Sequence, residues 1–266
     1  MLQPRIIPCL LVKDKGLVKT VNFKNPKYLG DPKNAVRIFN EKEVDELIVL
    51  DIDATIENRG PDYKMIEDLA AECRMPFCYG GGIKTVEQAQ KVFELGVEKI
   101  SLSSAAVENP ELIARIAEQV GSQSVVAVLD VKRKAGSANN YEIMTHNGQK
   151  KSGKDPVEFA RQLELLGVGE IVINSIDNDG VMKGYDLNLI EKVRKSVTVP
   201  ITVLGGAGTL KDLGILISEY GIIGAAAGSL FVFKGIYKAV LINYPAPEQK
   251  KTLIKEYYTI FENQKK

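Results

Sequence analysis

The sequence predicts a closed (β/α)8 TIM barrel, on three observations. Eight short apolar runs recur along the 266 residues, amphipathic stretches with helical spacing separate them, and the order of motifs in the first half returns in the second. Continuous apolar strands alternating with helices imply a parallel sheet covered by helices. Eight such units suit a closed barrel better than an open doubly wound sheet. The expected organisation is one domain over 1–266, made of two duplicated half-barrels at about 1–122 and 123–266.

The strands follow in order. "RIIPCLLV" is apolar from Arg5 to Val12 and breaks at Lys13-Asp14-Lys15-Gly16, so it reads as a buried strand followed by a flexible loop running to "GDP". "ELIVLDI", "PFCYGG", "EKISLSS", "SVVAVLDV", "GEIVINSI", "PITVLGG" and "IIGAAAGS" supply the other seven. Between them "PDYKMIEDLAAECR", "TVEQAQKVFELG", "PELIARIAEQV", "DPVEFARQLELLG" and "DLNLIEKVRKS" place apolar residues at i, i+3, i+4 and i+7, the stripe of a helix that buries one face. A second long insertion, "KRKAGSANNYEIMTHNGQKKSGKDP", follows the fifth strand, and its Asn147-Gly148 signals a small hairpin. Both insertions leave the carboxyl ends of strands, the face where barrels of this kind build their sites. The repeat is ordered: "LDIDAT" answers "NSIDNDG", "YGGGIKT" answers "LGGAGTL", and "ISLSSAA" answers "GAAAGSLF", at nearly constant spacing.

Composition narrows the function. Lys and Arg number 35 against 34 Asp and Glu, and no basic stripe interleaved with aromatics is present, so nucleic acid is not an expected partner. No apolar run is long enough to span a membrane and none has signal-peptide form, which points to a cytoplasmic protein. Cys9, Cys73 and Cys78 lack metal-ligand spacing and read as buried free thiols, and the single histidine, His146, sits at a surface turn. Neither a metal nor a cofactor is expected.

Carboxylates at strand tips are the acid/base candidates: Asp51, Asp53, Asp130, Asp177 and Asp179, with Asp130 foremost and Asp51 open to a second reading as a tie between loops. Each half also ends one strand in glycines and the next in a small or hydroxyl pair. Glycine lets backbone N–H groups approach an anion, and a following helix N-terminus adds partial positive charge. Gly81, Gly82, Ser103 and Ser104 form the candidate phosphate cradle of the first half. Gly180, Gly205, Gly206, Gly228 and Ser229 form that of the second, with Lys19 and Asp179 as further substrate contacts. Two cradles suggest a ligand with two phosphates.

"RIIPCL", "VNFKN" with "GDP", "DELIVLDI", "GGGI", "SSAAVENPELI", "GSQSVV", "SIDNDG", "GYD" and "GGAG" together resemble the cyclase subunit of imidazole glycerol phosphate synthase, over essentially the whole chain. The resemblance implies a barrel that receives ammonia from a glutaminase subunit at its N-terminal face. It also implies two aspartates that cleave and cyclise a bisphosphorylated ribonucleotide derivative. One of these matches Asp130; the other belongs at the tip of the first strand, where this chain has Leu11. Leu204, before Gly205, also stands where the family commonly has a hydroxyl residue. At the opposite end the family closes a charged gate with one Arg, one Lys and two Glu, matched here by Arg5, Lys99, Glu46 and Glu170.

Ammonia entry with a depleted cyclase site resembles the branch of the family found in surface-polysaccharide loci. There the barrel is expected to supply ammonia to an ATP-dependent amidotransferase that forms an acetamidino sugar. A working histidine-pathway cyclase and a non-catalytic scaffold for the glutaminase are the alternatives.

Overall fold

The first apolar run forms β1 (Arg5–Lys13), and its alternate side chains part. Ile7 and Cys9 turn into the bore of a barrel, while Ile6 and Leu10 face outward beneath the helices. In the computed structural model, which describes residues 3–137 and 139–265, the chain continues through β2 (Gly16–Val21), β3 (Lys24–Gly30), α1 (Pro32–Glu41), β4 (Leu47–Asp51), α2 (Tyr63–Ala70) and β5 (Phe77–Gly80). Then come α3 (Val86–Glu94), β6 (Lys99–Leu102), α4 (Ser104–Glu108), α5 (Glu111–Val120) and β7 (Val125–Arg133). A hairpin of β8 (Tyr141–Thr145) and β9 (Lys150–Lys151) precedes α6 (Pro156–Leu165), β10 (Glu170–Ser175), α7 (Leu187–Arg194), β11 (Ile201–Leu204) and α8 (Leu210–Tyr220). The chain closes with β12 (Gly224–Ala227), α9 (Ser229–Val232), a second hairpin of β13 (Phe233–Lys234) and β14 (Ala239–Val240), and α10 (Pro247–Gln264). Met1, Leu2 and Lys266, at the limits of the two expected halves, and Ala138 in the second insertion lie outside the described residues.

Strands β1, β4, β5, β6, β7, β10, β11 and β12 pair in that order, all parallel, and β12 returns to β1, so the eight predicted strands close into a barrel. Most helices between them start on a side-chain cap. Asp62 accepts from the Met65 N–H, Asp186 accepts from the Leu189 N–H, and Thr209 with Asp212 forms a capping box. Packing is in two shells. The larger fills the space between strands and helices. The smaller fills the bore with Ile7, Cys9, Ile48, Cys78, Val126, Val128, Val172, Leu204 and Ala226, and Leu11 and Leu50 pack on its upper rim. Helix α10 lies against α8, where a Cβ on Gly214 would meet the Tyr257 ring at 2.3 Å, so only glycine admits that aromatic.

The structure corrects one expectation. The segment after β1 is not a flexible loop but an antiparallel extension of the sheet. Lys13 pairs with Gly16 across Asp14-Lys15, and Val21 pairs with Lys24 across Asn22-Phe23. All four turn residues have positive φ, between 48° and 62°, the backbone of a two-residue hairpin turn whose twist matches its strands. Neither turn has glycine at its second position, so the usual sequence signal is missing. The hairpin predicted at Asn147-Gly148 is present as β8 and β9, and His146 lies in its turn with a partly exposed ring. Cys9 and Cys78 are buried free thiols, raised by burial to about 12 for Cys9 and well above the ordinary value for Cys78, while Cys73 is half-buried.

Candidate functional site

The carboxyl ends of the eight strands open into a pocket, and Asp130 stands on its wall. Ser103 Oγ donates to one carboxylate oxygen at 2.8 Å and Asn174 Nδ2 to the other at 2.8 Å. Burial pushes the Asp130 carboxyl up to about 6, against these two hydrogen bonds, which favour its ionised form. A carboxyl poised there can exchange a proton near neutrality. Leu11, Leu50 and Leu204 line the same pocket, so its polar side faces an apolar one.

The shift has a consequence for stability. Because the folded-state value lies above the unfolded one, Asp130 contributes stability that is complete below the unfolded value near 3.8 and is lost as pH rises through about 6. Asp130→Asn removes this dependence. Between about pH 4 and about pH 8 the variant should gain roughly 1–3 kcal/mol relative to the parent chain, discounted for the open pocket. Paired urea titrations measure it, and a constant difference across that range would refute the assignment.

The other strand-tip carboxylates are engaged. Asp51 receives both terminal guanidinium nitrogens of Arg59 at 2.9 and 3.1 Å and the N–H groups of Asp53 and Ala54, so it fastens the loop that follows its own strand. Asp53 pairs with Lys13 at 3.2 Å, and Asp177 accepts from the Arg133 N–H at 2.8 Å. Asp179 takes Lys19 Nζ at 2.6 Å and Thr20 Oγ1 at 2.9 Å, so Lys19 and Asp179 form a buried pair that fastens the β2–β3 hairpin to the loop after β10. Asn22 adds two bonds from its amide to the Ile176 and Asp177 carbonyls. Of the five acidic candidates, only Asp130 is held by uncharged side-chain donors alone, with neither a cation nor a backbone N–H on its carboxylate. Asp14, Asp53 and Glu57 bring oxygens within 4.8 Å of one another, but Lys13 already supplies a cation between Asp14 and Asp53.

The cradle residues line the pocket in both halves. Among the described residues, the N–H groups of Gly81, Gly82, Gly205, Gly206, Gly228 and Ser229 donate to no protein acceptor. The helices beyond are short, five residues in α4 and four in α9, so backbone donors rather than a long helix dipole would carry anion binding. Part of the glycine signal is packing. A Cβ on Gly180 would lie 2.4 Å from the Thr20 carbonyl oxygen, and one on Gly206 would lie 2.1 Å from that of Gly184. The Ser103 hydroxyl is spent on Asp130, and Ser104 Oγ accepts from the His146 N–H at 3.0 Å, which draws the β8–β9 hairpin over the pocket.

Two pocket residues escaped the sequence reading. Asn174 Oδ1 and Ser101 Oγ are buried with no partner, and both line the pocket. Alternation along β10 held the signal, because Val172 faces the bore and a residue two further on must do so too.

At the other end of the bore Arg5, Glu46, Lys99 and Glu170 meet. Arg5 pairs with Glu46, and also with Glu170 at 2.7 Å, while Lys99 Nζ reaches Glu46 at 2.9 Å and Glu170 at 2.9 Å, closing a ring. Thr202 Oγ1 adds a 2.5 Å bond to Glu170. Burial opposes charge on Glu170, but Arg5 and Lys99 outweigh it and hold its carboxyl below the ordinary range. Opposite Thr202 a Cβ on Gly224 would come within 1.8 Å of its hydroxyl, so a bare backbone leaves room for this part of the ring.

Fold and pocket define a (β/α)8 barrel with a pocket at the carboxyl-end mouth of its strands, a class whose members carry their sites there and differ chiefly in the loops. Sequence comparison supplies the family. Residues 5–238 match the histidine biosynthesis protein family, and the chain belongs to it, among the cyclase-type subunits of imidazole glycerol phosphate synthase. It is 59% identical to a Vibrio vulnificus protein named "Putative imidazole glycerol phosphate synthase subunit hisF3", over 94% of this chain and 96% of that one. A Leptospira interrogans protein named "Putative imidazole glycerol phosphate synthase subunit HisF" is 58% identical over 95% of this chain and 99% of its own length. Identity is 41% to the imidazole glycerol phosphate synthase subunit HisF of Petrotoga mobilis, over 90% and 94%. The first two are consistent with a paralogous branch. Among the described residues, no helix is long and apolar enough to cross a membrane.

Proposed function

We propose that this chain is the ammonia-conducting barrel of a glutamine-dependent amidotransferase complex, and that it supplies ammonia for acetamidino-sugar formation in surface polysaccharide biosynthesis. A glutaminase subunit docks at the ring of Arg5, Glu46, Lys99 and Glu170. Ammonia then crosses the apolar bore and leaves by the pocket, where an ATP-dependent amidotransferase receives it. The observation that carries this reading is Leu11 on the pocket wall that also holds Asp130, while the ring at the far end is fully paired. A side chain with no titratable group cannot share acid and base work with Asp130. The second reading, a histidine-pathway cyclase, draws support from the Asp130 carboxyl at about 6. Turnover of the cyclase substrate with free ammonium separates the two.

In this reading the two half-barrels each retain an anion cradle, so a phosphorylated small molecule still binds. Crystals grown with inorganic phosphate or sulfate should show an anion on the N–H groups of Gly205, Gly206, Gly228 and Ser229, whose donors do not depend on Leu11. Both cradles empty at high phosphate would refute inherited anion binding.

A further inference from the structure

A formal charge of +1 conceals a segregation of charge. Residues 13–30, which form the β2–β3 hairpin and its approach, carry five lysines against Asp14 alone, and residues 233–240, around the β13–β14 hairpin, carry Lys234 and Lys238 with no acid. Lys13, Lys15 and Lys19 are paired with Asp53, Asp62 and Asp179. Lys24, Lys27, Lys234 and Lys238 are exposed and, among the described residues, have no carboxylate partner. Lys132 near the end of β7, Lys134 just beyond it, and Lys150 and Lys151 on β9 are also exposed and, among the described residues, have no carboxylate partner.

The two lysine-bearing hairpins adjoin, because Lys27 Nζ lies 5.4 Å from the centre of the Phe233 ring. On this basic surface stand large apolar side chains: Ile236 is 87% exposed, Tyr237 90% and Tyr28 68%. Thr20 and Phe23 of the first hairpin line the pocket, and the second hairpin begins at Phe233, one four-residue helix after Gly228 of the cradle, so the patch adjoins the pocket rim. Exposed aromatic and aliphatic anchors ringed by one sign of charge are the anatomy of a docking surface for a partner of the opposite sign.

We infer that the β2–β3 and β13–β14 hairpins form a docking surface for a protein with an acidic face around an apolar recess, seated over the pocket mouth. The inference rests on the ammonia-delivery reading. It deepens that reading by naming where the receiving protein sits and by what chemistry. A neutral molecule as small as ammonia escapes from an open mouth, so delivery requires a cover, and the charge on the rim selects an acidic one.

The test uses the full chain with its glutaminase and, as probe, the ATP-dependent amidotransferase of the proposed reaction, with binding measured by surface plasmon resonance. Unmodified chain should bind, and more weakly as salt rises. Lys24→Glu/Lys27→Glu/Lys234→Glu/Lys238→Glu should weaken binding at least ~10-fold, and Ile236→Ser/Tyr237→Ser by a similar factor. Glutaminase association and cradle phosphate binding should be unchanged. No binding by unmodified chain, or equal binding by both variants, overturns the surface, as does binding to phosphatidylglycerol vesicles with the amidotransferase unaffected. If glutamine-driven amidination still needs the chain while both variants deliver normally, the surface alone is wrong. If amidination proceeds without the chain, the delivery reading falls.

Discussion

Purified protein given ammonium and the bisphosphorylated cyclase substrate should turn it over at least ~10²-fold more slowly than a two-aspartate cyclase, and up to ~10⁴-fold more slowly. The physical reason is local. Asp130 is held on the pocket wall by Ser103 and Asn174 with a carboxyl near 6, fit for proton exchange, but Leu11 brings only methyl groups to that pocket. Asp51, Asp53, Asp177 and Asp179 cannot stand in, because each is bound to a cation or to backbone donors that hold other loops. Leu11→Asp is the companion variant. Among Leu50, Leu204 and Asp130 the introduced carboxyl is pushed up by burial and by like charge, so recovered turnover should grow with pH as it ionises. Normal turnover by the unmodified chain would overturn the delivery reading.

Lys99→Ala should uncouple glutamine hydrolysis from amidation. In the intact ring Lys99 joins Glu46 to Glu170 on one side while Arg5 joins them on the other, so side chains fill the entrance and opening requires one of them to swing. Removing Lys99 leaves Arg5 spanning both carboxylates, which keeps the end of the barrel assembled but opens a gap where the ammonium group sat. Glutaminase binding should persist, free ammonium should still support product, and the ratio of glutamate formed to sugar amidinated should rise several-fold. That ratio, measured in the reconstituted complex, refutes the gate assignment if it is unchanged. Failure of the unmodified chain to bind a glutaminase would refute the conduit itself.

The strands were legible because a strand in a barrel is apolar on both faces and bounded by turn residues, a signal contained within each segment. "SVVAVLDV" and "GEIVINSI" needed nothing beyond their own residues. The same locality explains the misreading after β1: the Asp14-Lys15 and Asn22-Phe23 turns lack glycine, and what holds the hairpin is Asp179, some 160 positions away. Ring residues could be placed at strand starts, but a pair such as Arg5 and Glu170, 165 positions apart, exists only once the barrel closes.

By itself, then, the sequence determined the eightfold alternation, the face on which each strand tip emerges, and the presence of Leu11 where the family resemblance calls for an aspartate. These follow from side-chain period and residue identity. The sequence already put Asp130 foremost among five aspartates, but tertiary structure alone decided what reaches each of them. A carboxylate's role depends on what reaches it: Arg59 comes to Asp51 from the following loop, Lys19 to Asp179 from a hairpin on the other side of the pocket, and only Ser103 and Asn174 to Asp130. Electrostatics and hydrogen bonding act over a few ångströms of space, and the closed barrel rather than the order of residues sets those distances.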